Sequence, residues 1–210
     1  MNHNSSAVLA IDPRAVNDSI YQKTIGINDF YLSDGHGGPP LGNIQLLGRV
    51  SAPILKSNIR RAPEWALRFM SRHSVDWYAM SEDLPNPESR VTVDGANIRL
   101  DWKRSNWTTH LALVATLKER LRAAGYPIVL WKAFDRRTPS HQCGTVRIGV
   151  DPSTSPLDPF CRAFDHPNLF VVDASFLPTS AAVNPSLTIA AQALRVADHV
   201  ARTDLRVHGT

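Results

Sequence analysis

The chain has 210 residues, 43% hydrophobic and 20% charged, the balance of an ordinary globular protein with room for one large core or two small ones. Its net charge of +4 comes from Lys and Arg scattered along the chain, clustered only in short pairs such as Arg60-Arg61 and Arg136-Arg137. This argues against nucleic acid as a partner, because tracking phosphates needs positive charge gathered on one face.

The opening MNHNSSAVLAIDPRAV lacks a basic stretch followed by a sustained apolar one, and no window approaches the ~20 apolar residues of a membrane span. A cytoplasmic protein with no membrane span is expected. Residues 1–23 show no clear period and are expected to include a poorly ordered start. Residues 24–48 are rich in Gly and Pro and read as loop with short extended pieces. Within them, GHGGPPLG runs into Pro39-Pro40 where a phosphate-cradling loop must open a helix, so it is taken as a surface loop.

A short helix is predicted over 62–72, with Pro63 at its start and Trp65, Phe69 and Met70 at helical spacing. Val91 and Val93 alternate, Asp94-Gly95 supplies turn chemistry, and Ile98, Leu100 and Trp102 alternate again; this predicts an antiparallel hairpin with one buried face. Over 106–126, Leu111, Val114, Leu117 and Leu121 form the stripe of a helix that Gly125 stops. The segment from 136 to 167 is long and turn-rich, a pattern typical of functional loops. NLFVVDAS, from 168, reads as a short buried strand ending at Asp173. A last helix from Pro185 to about Arg202, apolar almost all round, expects cover on most sides.

None of the eight histidines pairs with another at the i, i+4 spacing of a helical metal site, and no zinc site is expected. Cys143 and Cys161 are expected to be free thiols. His141 opens HQCGTVRIG, where Gly144 and Gly149 allow close backbone approach; a histidine on such a loop is either a general base or a structural residue bonded to loop backbone. Cys143, two residues on, raises the weaker alternative of a cysteine nucleophile in a hydrolase. Asn184 before Pro185 suits a helix N-cap. A helix start also presents N–H groups and partial positive charge, so the same residue can cap and bind an anion.

Two motifs in this order, HQCGTVRIGVDP and NLFVVDASFLPTSAAVNPSLTIAAQAL, strongly resemble the C-terminal signature of the glucose-methanol-choline oxidoreductases, FAD-dependent enzymes that oxidise alcohols. INDFY, PLGNIQLLG and SEDLPNPESRVTV are similar to the segments preceding it and extend the resemblance back to about residue 24. The resemblance implies that His141 accepts the substrate hydroxyl proton and that Asn184 holds the alcohol oxygen. It further implies that Asp173, Ala174, Pro185 and Ser186 lie along the flavin. An α+β (α/β) fold follows: residues 24–135 form an antiparallel substrate-binding sheet with helices. Residues 136–205 form a catalytic segment returning to a Rossmann-like FAD-binding domain whose N-terminal part is absent.

The G-x-G-x-x-G turn that holds the ADP half of FAD in that family occurs nowhere in these residues. The expectation is therefore the C-terminal part of an FAD-dependent alcohol or sugar oxidoreductase, inactive by itself and completed by an N-terminal FAD-binding half. Its rival is a non-catalytic fragment or binding module that no longer holds FAD.

Overall fold

The computed structural model describes residues 1–20, 23–135 and 141–205; the Arg136-Arg137 pair and the start of the expected catalytic segment at 136 lie outside them. The chain divides into two compact units, one built from Asn4–Ser81 with Asn106–Thr138, the other from Met1–His3, Glu82–Ser105 and Pro139–Thr210. Among the described residues are two antiparallel sheets and four α-helices, the α+β class that the sequence predicts.

The first unit is organised by β1 (Asn4–Ile11), in the stretch 1–23 that shows no clear period and is expected to include a poorly ordered start. It pairs antiparallel with β4 (Ser74–Ser81) on one side and β7 (Ile128–Ala133) on the other. With β2 (Gly26–Ile27) and β3 (Asn43–Gly48) these make a five-stranded sheet in the order β2-β3-β4-β1-β7. Alternate residues of a strand face opposite sides. Val8 and Ala10 join a cluster with Ile44, Ala79, Leu113, Leu117 and Val129, while Leu9 and Ile11 join another with Leu55 and Leu67. Because apolar partners cover both faces, the strand has no polar alternation, and its sequence shows no period.

Helix α3 (Trp107–Ala123) covers the first face, burying His110, Leu113, Val114, Leu117 and Leu121. Leu111, assigned to that stripe, is exposed, because the buried face is centred on Leu113 and Leu117. The helix stops as expected: Gly125 takes φ +96°, its N–H donates to the Arg122 carbonyl at 3.0 Å, and the Tyr126 N–H reaches back to Leu121 at 3.2 Å. His110 links the layers inside, with Ser6 Oγ 2.8 Å from its Nε2 and Ser81 Oγ 3.0 Å from its Nδ1.

Two helices serve the other face: α1 (Ala52–Asn58), which the sequence did not announce, and α2 (Glu64–His73), with Pro63 at its cap. The buried residues of α2 are Leu67 and Ser71, whereas the expected Trp65 and Phe69 are exposed.

In the second unit the hairpin forms as β5 (Arg90–Asp94) and β6 (Asn97–Asp101). Asp94 pairs with Asn97, so the turn residues are Gly95 and Ala96, and φ +58° at Gly95 suits the first position of a type II′ turn. The expected buried face is absent: both strands are exposed, with Val93 and Ile98 at 71% and 78%. The run around Val171-Val172 is not a strand. Phe170 makes one isolated antiparallel bridge with Arg162, and the chain then turns into a short 3₁₀ helix, Ala174–Phe176. A single bridge offers too few ladder hydrogen bonds to propagate a strand.

The last helix, α4 (Ser186–Thr203), starts one residue later than expected. Its Ile189, Val196 and Val200 pack on a cluster of Cys143, Leu157, Cys161, Phe176 and Leu177. It is not covered on most sides, since Leu187 and Leu194 are 83% and 73% exposed. No helix of the described residues is long and apolar enough to cross a membrane.

Candidate active site

The site is built in the second unit, where short segments run side by side. Met1 N donates to the Cys143 carbonyl at 3.0 Å and Cys143 N donates back to Met1 O at 3.1 Å, a reciprocal pair of the antiparallel kind. Two residues on from Met1 and two back from Cys143 stand His3 and His141, which this register sets opposite each other. Their Nδ1 atoms are 2.9 Å apart, and the rings meet edge to face with centroids separated by 4.9 Å.

Beyond Cys143 the same segment is laddered to the 3₁₀ turn. Gly144, Val146 and Ile148 donate their N–H groups to the carbonyls of Ala174, Ser175 and Phe176 at 3.0–3.1 Å. Gly144 has to be glycine: its φ is +75°, and a Cβ there would sit 3.0 Å from the Leu177 carbonyl oxygen. His141 itself adopts φ +55°, a left-handed conformation costing a non-glycine residue on the order of 1 kcal/mol or more, which the surrounding hydrogen bonds must hold.

His3 is buried, and its Nε2 is hydrogen-bonded to the Ser180 carbonyl oxygen. Burial lowers its pKa below the usual histidine value, outweighing the raising effects of the Ser180 and Ala181 backbone and of Asp83 and Glu82. Ser180 Oγ in turn accepts the Asp83 N–H at 2.7 Å. The buried Asp83 carboxylate accepts from Asn2 N (2.9 Å), Trp102 Nε1 (3.0 Å), Ser105 N (3.0 Å) and Ser105 Oγ (2.7 Å). One polar knot thus ties residues 2–3 to 83, 102, 105 and 180.

Asn184 lies half-buried four residues past Ser180, after a turn in which Ala181 has φ +51° and accepts the Val183 N–H at 2.8 Å. The loop carrying Asn184 is therefore anchored by the residue whose carbonyl holds His3. Pro185 occupies the cap position of α4 with φ −87° and ψ −9°, already helical, and its carbonyl accepts the Ile189 N–H. Ser186 is the exposed first residue of the helix. Asp173 turns its carboxylate onto the Ser175 N–H at 2.7 Å and so caps the 3₁₀ turn that Ala174 opens. The Ser175 hydrogen bonds hold its carboxyl below the usual carboxylate range.

Both cysteines are buried free thiols, as expected. Burial pushes Cys143 up to about 11, so a thiolate nucleophile near neutrality, and with it the hydrolase reading, finds no support. A cleft of about 500 Å³ in the sheet unit, lined among others by Asn17, Arg49, Arg68 and Arg72, contains none of the candidate residues.

His3, Asp83 and Ser180 were not singled out from the sequence. His3 is 138 positions from His141, and no spacing rule joins them. The one available signal was the apolar run Ala7–Ile11: taken as a buried strand, it sets His3 at the strand's mouth.

Residues 85–193, just over half of the chain, match the family described as GMC oxidoreductase, and the chain belongs to that family. It is 35% identical over 136 residues to 2-methyl-1,2-propanediol dehydrogenase of Mycolicibacterium austroafricanum, covering 60% of this chain and 25% of the relative. It is 30% identical over 151 residues to the fructose dehydrogenase large subunit of Gluconobacter japonicus, covering 64% and 26%. In fold it is similar to pyridoxine 4-oxidase from Mesorbium loti, with a TM-score of 0.61 and 18% identity over 96% of this chain and 43% of that one. The matched region therefore spans about a quarter of the length of these two relatives.

Proposed function

We propose that this chain supplies the substrate-side groups of an FAD-dependent oxidoreductase that oxidises the CH–OH group of an alcohol or sugar. In this reading residues 24–135 shape substrate binding, residues 136–205 carry the catalytic groups, and a dinucleotide-binding half outside this sequence holds the ADP end of FAD. The observation that carries it is the strained His141, held by His3 in a segment laddered to the Ala174–Phe176 turn. The names of the relatives, a propanediol dehydrogenase and a fructose dehydrogenase, support alcohols and sugars as the substrate class.

The residues present fit one edge of a flavin. The start of α4 is exposed at Ser186, Leu187 and Thr188, and a helix start offers N–H groups without intrahelical partners and partial positive charge suited to an electron-rich ring edge. Asp173 and Ala174 line the same group in this reading, with Pro185 and Ser186 at the helix mouth. When bound, FAD supplies the acceptor for the hydride lost from the carbinol carbon.

His141 takes the hydroxyl proton as the C–H bond breaks, leaving a carbonyl product. The Asn184 amide donates to the oxygen and fixes its position. General-base catalysis of this kind contributes roughly 10²–10⁴-fold.

The test is co-expression with a matching dinucleotide-binding half, following flavin bleaching by alcohols. His141→Ala is expected to slow bleaching by roughly 10²–10⁴-fold. An unchanged rate overturns the role, and a complex that stays colourless after FAD addition favours the non-catalytic reading.

A further inference from the structure

We infer that His3 is a positioning residue that sets the tautomer of His141, keeping the lone pair on His141 Nε2 and hence the proton-accepting atom of the proposed base; this rests on the functional reading above. A carbonyl oxygen can only accept, so the hydrogen bond between Ser180 O and His3 Nε2 requires Nε2 of His3 to carry a proton. Burial lowers the His3 pKa and so favours the neutral ring, in which a proton on Nε2 leaves the lone pair on Nδ1. His141 Nδ1, 2.9 Å away, must then be the donor. A neutral imidazole with its proton on Nδ1 has Nε2 as its only acceptor.

The chain runs from Ser180 O through His3 to His141, entirely within one compact unit. It favours the tautomer that an isolated imidazole favours less. It also stays intact when His141 is protonated, because the Nδ1–H bond to His3 persists and the new proton sits on Nε2. Ser180 thus serves two ends of the site, orienting His3 through its carbonyl and anchoring the turn that leads to Asn184.

Nitrogen-15 NMR of the imidazole rings in the 210-residue chain tests this without flavin. The expected spectrum has His141 protonated at Nδ1 with a lone-pair shift at Nε2, and His3 the reverse. His3→Phe removes the acceptor and should abolish the His141 Nδ1–H signal. His3→Asn keeps an acceptor where Nδ1 stood and should retain it, a rescue that a merely structural role for His3 does not predict.

A parent spectrum with His141 protonated at Nε2 overturns the inference, as does an unchanged His141 tautomer in His3→Phe. If His3→Phe does not fold, the parent spectrum still decides. An intact tautomer pattern with His141→Ala bleaching at the parent rate would sink the proposed function and spare the hydrogen-bond chain. Reversed tautomers with an inactive His141→Ala would do the opposite.

Discussion

Asp76, on β4 of the sheet unit, and Asp83, in the loop unit, are both buried, yet they are held differently. Asp76 accepts the Val50 N–H, and burial pushes its carboxyl up to about 6. Asp83 collects four hydrogen bonds from Asn2, Trp102 and Ser105. In a sheet most backbone N–H groups are consumed by the ladders, leaving few donors for a buried side chain. Where the backbone is irregular, carboxylates take those donors. Asp151, Asp158 and Asp173 each accept the N–H two residues on, from Ser153, Phe160 and Ser175. The sheet unit is thus ordered by ladders and by apolar clusters on both faces; the loop unit is ordered by side-chain acceptors around one cluster, with much apolar surface left open.

The largest effect expected on this contrast is in the sheet unit. Leu113→Ala, at a fully buried position of α3, should cost about 2–5 kcal/mol in urea unfolding. A loss well below that range would mean that the ladders rather than the clusters hold the sheet.

Asp76→Asn comes next. The shift from the ordinary 3.8 to about 6 corresponds to about 3 kcal/mol. The folded carboxyl resists ionisation, so its stabilising contribution is full below about 3.8 and is lost as pH rises through about 6. The Asn variant should therefore gain up to about 3 kcal/mol at neutral pH and flatten the stability profile between those values. A profile that keeps its slope would assign the loss to another group. Smallest of all, Leu194→Gln on the open face of α4 should change stability by no more than about 0.5 kcal/mol. A cost above about 1 kcal/mol would show that this face is covered after all.

What could be read from the sequence was local. Asp94-Gly95 between alternating residues announced the hairpin, and Gly125 announced the end of α3, because turn and cap chemistry depends on a few neighbouring residues. His141 and Asn184 are proposed from motifs, each a contiguous stretch. β1 escaped, because a strand covered on both faces has no alternation, and so did the bare faces of the hairpin and α4, because apolar spacing does not say whether anything covers it.

The sequence by itself determined the family and the α+β class. Tertiary structure alone decided that His3 faces His141 and Ser180, and therefore which ring nitrogen carries a proton. A tautomer depends on the hydrogen bond at the other nitrogen, and that partner arrives from 138 residues away.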